Sequence, residues 1–170
     1  MVHFETIFRR LNQKKVQYLV IGGVAVNLYG FPRATGDLDL LILLEPANIK
    51  RFLGAAKAMR LIPRFPVALE DLSEPQKREE WIRHKGMKVF SLYDPKQPLM
   101  QIDVMMKNVI NFKKAWNGRK IMKAGKLTIP IVSINDLIQL KRKAGRERDR
   151  MDIRVLKQIQ AIQNEKKKKR

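Results

Sequence analysis

Two adjacent glycines and three aspartates stand out in this chain as residues whose type and spacing can do chemistry. Ile21-Gly22-Gly23 is followed, after thirteen residues, by Asp37-Leu38-Asp39, and Asp103 lies in the later run Gln101-Ile102-Asp103-Val104-Met105. In a strand, residues two apart share a face. Asp37 and Asp39 therefore project together at the head of the apolar run 40–44. Two carboxylates side by side repel each other unless a cation lies between them. Magnesium suits such a place, because it takes hard oxygen ligands and keeps room in its shell for waters and phosphates. Asp103, on a neighbouring strand, would complete a site for two Mg2+ ions roughly 3.5–4 Å apart. One ion would acidify an attacking hydroxyl; the other would hold a triphosphate and its leaving pyrophosphate. Asp103 is then the candidate general base, or the group that orients the hydroxyl. Gly22 and Gly23, a strand-to-helix turn without side chains, would let backbone N–H groups reach phosphate oxygens. Arg33 and Thr35 stand just ahead of the acids and could add phosphate contacts. The chemistry implied is nucleotidyl transfer from an NTP.

The elements that must position these residues can be read from periodicity. Phe4, Ile7, Phe8 and Leu11 mark one face of a helix, and 16–21 is a β-rich run ending at the glycines. Residues 24–29 read as a short helix, 31–36 as a loop and 38–44 as a second strand. Pro46 opens a helix with Ile49, Phe52, Leu53, Ala56 and Met59 inward. Ser73-Glu74-Pro75 reads as a helix start capped by Ser73. Strands 87–93 and 99–105 flank a hairpin loop, 94–98. A short helix at 108–116 precedes a hairpin around Ala124-Gly125. Ser133 to Asp136 opens a further helix that ends at Gly145, and a last helix uses Val155, Ile159 and Ile162. The expected fold is α/β (α+β), a mixed sheet flanked by helices, in one domain over residues 1–162 with a C-terminal helical part at about 133–162. The basic stretch 163–170 is expected to be a disordered tail.

Composition sets the setting. With 170 residues the chain holds one packed domain, and no apolar segment approaches a membrane span. There is no cysteine, so thiolate metal sites and disulfides are excluded. A cytoplasmic protein without a leader is the expectation. The net charge of +20 is concentrated after residue 113 and points to a polyanionic partner, RNA first.

At this point the chain resembles the DNA polymerase β-like nucleotidyltransferase superfamily. The resemblance rests on Tyr18-Leu19-Val20-Ile21-Gly22-Gly23, Asp37-Leu38-Asp39 and Asp103. It is nearer to small stand-alone prokaryotic members of abortive-infection and toxin–antitoxin systems. Their C-terminal motifs are matched by Lys141, by Ala144-Gly145-Arg146, and by Asp149 and Asp152. The resemblance implies a nucleotidyltransferase fold, with Asp37, Asp39 and Asp103 as catalytic metal ligands. It implies that Gly22 and Gly23 line the nucleotide phosphates and that Lys141 reaches the triphosphate. Many superfamily members carry serine where this chain has Gly23. Asp149 and Asp152, three apart among Arg146, Arg148 and Arg150, fit intrahelical ion pairs equally well.

The expected activity is magnesium-dependent transfer of NMP to a hydroxyl, most naturally on RNA, with tRNA as one candidate. The alternatives are transfer to a protein hydroxyl within a toxin–antitoxin pair, or a non-catalytic nucleic-acid-binding module on the same fold. A cationic small-molecule acceptor is disfavoured by the charge.

Overall fold

The computed structural model describes residues 4–168. Helix α1 (Glu5–Gln13) buries Ile7, Phe8 and Leu11 and leads into strand β1 (Tyr18–Val20). Helix α2 (Gly22–Leu28) begins at the first glycine, and β2 (Asp37–Ile42) follows the loop. Helix α3 (Pro46–Ala58) leads to the two-residue strand β3 (Ile62–Pro63), a 3-10 turn (Leu69–Ser73) and helix α4 (Pro75–His84). Strands β4 (Val89–Asp94) and β5 (Gln97–Met105) form a hairpin, and α5 (Phe112–Asn117) precedes a second hairpin, β6 (Lys120–Ala124) and β7 (Leu127–Ile131). The chain finishes with α6 (Ile134–Ala144) and α7 (Glu147–Lys168).

The seven strands form one mixed sheet in the order β3-β4-β5-β2-β1-β7-β6. At its centre β2 runs antiparallel to β1 and parallel to β5. Leu38, Leu40 and Ile42 share one face of β2 and are buried, whereas Asp37 is exposed and Asp39 half-buried on the other. Helix α2 packs on β2, and α6 packs on both α2 and α7. The C-terminal helices thus close over the end of the sheet that carries the acids. No helix among the described residues is long and apolar enough to cross a membrane.

A buried side chain sets the sheet's centre against α3. Asn48 accepts the Gln17 N–H at 2.7 Å and donates to Gln17 O at 3.0 Å and Leu43 O at 2.9 Å. Asn48→Ala orphans the Gln17 N–H and Leu43 O, flanking β1 and β2, while Gln17 O keeps the Leu43 N–H at 3.1 Å. It should lower unfolding free energy in urea by about 2–3 kcal/mol while leaving the active-site chemistry intact below the melting temperature.

Besides the short edge strand β3, which no apolar run announces, the structure departs from the sequence reading in four places. Ser73 is not the cap of α4; Glu74 is, and the Ser73 hydroxyl instead donates to Glu70 O at 2.7 Å. Pro75 decides this, because its fixed φ and missing N–H suit the first helical position. The β4–β5 turn is tighter than 94–98: Asp94 Oδ1 accepts the Lys96 N–H at 2.9 Å, and pairing resumes at Gln97. Helix α5 starts at Phe112, not near Asn108, since Asn111 accepts the Lys114 N–H and fixes the start. Finally, α7 continues to Lys168 through the stretch read as a disordered tail, and 169–170 lie outside the described residues.

Candidate active site

The parallel pairing of β2 and β5 sets Asp39 directly opposite Asp103, with Asp37 opposite Gln101. Adjacent strands lie about 4.8 Å apart, so in-register side chains on one face are neighbours. Gln101 Nε2 donates to Asp103 Oδ1 at 2.8 Å, fixing one oxygen of that carboxylate from two residues along the same face. The Asp39 carboxyl is pushed up to about 6 by burial first, then by the charges of Asp103 and Asp37. Arg146 and Lys141 pull it partly back down. Three acids therefore converge electrostatically on one place.

Gly22 is packed against this place. Its φ is +65°, and a Cβ there would lie 1.9 Å from Asp39 Oδ2. The Ile21 N–H donates to Asp39 O at 3.0 Å, tying the turn to β2. A Cβ on Gly23 would fall 2.5 Å from Thr35 Oγ1 and 2.7 Å from Arg33 Nη2. The Gly-Gly turn, Arg33, Thr35 and Asp39 thus form one continuous wall. Asn27 holds the loop in place, donating to Arg33 O and accepting the Arg33 N–H, both at 3.0 Å.

Lys141, which the resemblance sets at the triphosphate, lies near enough for its charge to be felt at Asp39, and it is held by two acids. It is 5% exposed, and its Nζ donates to Asp152 Oδ2 at 2.6 Å and Asp149 Oδ1 at 3.2 Å. The second Asp152 oxygen lies 3.1 Å from Arg33 Nε. Asp149 Oδ2 also accepts the Arg146 N–H at 3.3 Å. Asp149 and Asp152 therefore make no simple ion pair along their own helix; they join α6, α7 and the loop before β2. Arg146 itself is exposed, and its charge is felt at Asp39.

The donor set fits magnesium: oxygen ligands only, with Asp39 carrying a carboxyl whose ionisation is opposed by two like charges that a cation would offset. As they stand, no three His, Cys, Asp or Glu side chains among the described residues are drawn together tightly enough to hold a metal ion. Asp37 is exposed at the strand end and must turn inward to share one.

A mixed sheet with paired acids opposite a third, beside a glycine turn, is the arrangement of a nucleotidyltransferase. The chain belongs to the family described as "Nucleotidyltransferase of unknown function (DUF6036)", whose model matches residues 3–170. No curated protein matches it in sequence. Among solved structures it is similar to the lincosamide antibiotic adenylyltransferase LnuA in its lincomycin-bound form. That match has 15% identity and TM-score 0.58, covering 90% of this chain and 93% of that one. It is also similar to a candidate nucleotidyltransferase from Thermotoga maritima, at 14% identity and TM-score 0.54, covering 89% of this chain and 88% of that one. An antigenic nucleotidyltransferase-like protein from Paracoccidioides brasiliensis matches at 14% identity and TM-score 0.55, covering 93% of this chain and 73% of that one. At such identities these likenesses show a shared fold, and the reaction class comes from the family.

Proposed function

We propose that this nucleotidyltransferase moves NMP from an NTP to a hydroxyl on RNA, with tRNA one candidate, using magnesium held by Asp37, Asp39 and Asp103. The observation that carries the reading is the in-register pair Asp39 and Asp103, with the Asp39 carboxyl raised to about 6 by burial and its neighbours' charge. A carboxyl held among like charges at a cost to its own ionisation, as Asp39 is, marks a place a cation would favour. Bound magnesium would supply Lewis-acid charge, acidifying the acceptor hydroxyl and neutralising the triphosphate.

The chain's own residues do the rest. The backbone of Gly22 and Gly23 lets the triphosphate approach closely, and Arg33 and Thr35 orient its oxygens. Arg146, exposed where Lys141 is buried, can follow the triphosphate from the α6–α7 corner. Asp103 accepts the hydroxyl proton as the acceptor oxygen bonds to the α-phosphorus. The bond from that phosphorus to the bridging oxygen breaks, and pyrophosphate leaves with its electron pair.

RNA is favoured because the net charge is +20 and α7 exposes Arg148, Arg150, Arg154 and Lys157 beside the site. Arg154→Gln with Lys157→Gln should weaken RNA binding and flatten its salt dependence, by about 0.7 in slope for each phosphate no longer neutralised. Titrations at several salt concentrations read this directly; an unchanged slope would remove α7 from the RNA surface. The acceptor is identified by incubating the protein with each α-labelled NTP, magnesium, cellular RNA, protein extract and small metabolites. Label in RNA supports the reading. Label in a protein band moves it to protein modification in a toxin–antitoxin setting, and label in a small molecule moves it toward antibiotic-type acceptors. RNA binding without transfer leaves a non-catalytic module.

A further inference from the structure

We propose that Asp152 is a positioning residue that holds the Arg33 guanidinium in the pose from which it binds the triphosphate, with Lys141 as the buried counter-charge beside it. This rests on the reading of the Gly22–Gly23 wall as the NTP site.

The geometry leads there in steps. Asp152 is 1% exposed, and both its oxygens are engaged: one by Lys141 Nζ at 2.6 Å, the other by Arg33 Nε at 3.1 Å. A buried carboxylate is tolerated only when paired on this scale. Lys141 is shared with Asp149, so two cations and two acids balance in one buried cluster. An ammonium committed to two carboxylates is poorly placed to leave for a phosphate, since departure would strand two buried acids. Lys141 is therefore a fastener.

Arg33 is treated differently. Its backbone is fixed by Asn27 on α2, its buried Nε faces Asp152 Oδ1 on α7 at 3.1 Å as an ion pair without hydrogen-bond geometry, and its Nη1 donates to Ala34 O at 3.1 Å. Its Nη2 lies against Gly23, where a Cβ would come within 2.7 Å. A guanidinium has five N–H donors, and among the described residues only one of them, on Nη1, is used in a hydrogen bond, so four stay uncommitted. The two on Nη2 lie on the Gly23 side. A long side chain held by an ion pair at one end of its guanidinium and a hydrogen bond at Nη1 loses little further freedom when it binds an oxyanion, which is how pre-organisation raises affinity. An ion pair serving only the fold would not need to present the guanidinium edge at a turn that tolerates no side chain.

The test uses the full chain with magnesium and a non-hydrolysable analogue of each of the four NTPs. Asp152→Asn and Arg33→Met should each weaken analogue binding by about tenfold to a hundredfold, the worth of a charge-assisted hydrogen bond. In turnover, the loss should appear in KM more than in kcat. Added to Arg33→Met, the Asp152→Asn change should cost less than about twofold more, because it acts through a side chain already gone. Wild-type affinity in Asp152→Asn, or losses that simply multiply in the double variant, would overturn the proposal while leaving the NTP site intact. A folded wild type that binds none of the four analogues would sink both. Should Asp152→Asn fail to fold, the Arg33 15Nε–H resonance of the wild type decides, assigned by its loss in Arg33→Lys. It should exchange slowly with solvent and persist while the Nη signals shift on adding analogue. Exchange at the rate of free arginine, or indifference to the analogue, would overturn the proposal.

Discussion

Asp39→Asn should reduce nucleotidyl transfer by at least about a thousandfold and at the same time make the protein more stable at neutral pH. The two effects share a cause. The Asp39 carboxyl titrates near 6 in the folded chain, against about 3.9 for a free aspartate. Between those values the folded state binds the extra proton, so stability falls as pH rises through this window and the loss is complete above about 7. A shift of about two units corresponds to something on the order of 3 kcal/mol. Asparagine keeps the shape and removes the charge, relieving the repulsion from Asp103 and Asp37. Urea melts at pH 5 and pH 7.5 should show wild type losing stability between them relative to the variant. Magnesium should raise the wild-type melting temperature at pH 7.5, do less at pH 5 where Asp39 is protonated, and do little for the variant. Transfer activity should fall on the acid side as Asp39 takes up its proton. A variant both active and less stable than wild type at pH 7.5 would remove Asp39 from the site.

That trade explains which parts of the site the sequence reveals. The acid pair on β2 is legible because a period of two is local: Leu38 and Leu40 face the core, so Asp37 and Asp39 must share the other face. The partnership with Asp103 needs only the assumption that two apolar runs pair in register, and β2 and β5 do. Six of the seven strands of the mixed sheet and the C-terminal helices are legible because their patterns are local, whereas the two-residue β3, Ile62–Pro63, is too short to carry one. Helix α7 shows where such reading fails. Its inward stripe is Asp149, Asp152, Leu156 and Ile159, at helical spacing, yet the first two members are acids. An apolar template skips them and selects Val155 and Ile162 instead, and Ile162 is 53% exposed. What turns the acids inward is Lys141 on another helix and Arg33 on a distant loop, and no window along the chain contains all four. The same non-locality hides Lys141. Alone it reads as a solvated residue or a phosphate ligand, and only the fold makes it a buried partner. Gln101 is the intermediate case: two residues from Asp103, it could have been inferred to share the acid's face.

Gly22→Ala should cost transfer activity about a hundredfold or more while destabilising the fold by only about 1–2 kcal/mol. The positive φ of +65° accounts for the reduced stability, because an L side chain is strained there. The drop in activity has a different origin. The added Cβ would sit 1.9 Å from Asp39 Oδ2 and 2.6 Å from its Cγ, so the carboxylate must swing away from its place opposite Asp103. A displacement of about 1 Å in a group that must meet a metal and a phosphate is enough for such an effect. Gly30→Ala separates the two contributions. Gly30 also has a positive φ, +106°, but a Cβ there meets nothing within 4 Å. It should lose comparable stability in urea and keep its turnover below the melting temperature. Equal falls in activity in the two variants would mean that strain in the chain, and not the clash with Asp39, is what the first glycine avoids. An effect confined to Gly22→Ala would tie the glycine turn to the catalytic acid through a single atomic approach. That approach would require glycine at position 22 even where other small residues satisfy the turn.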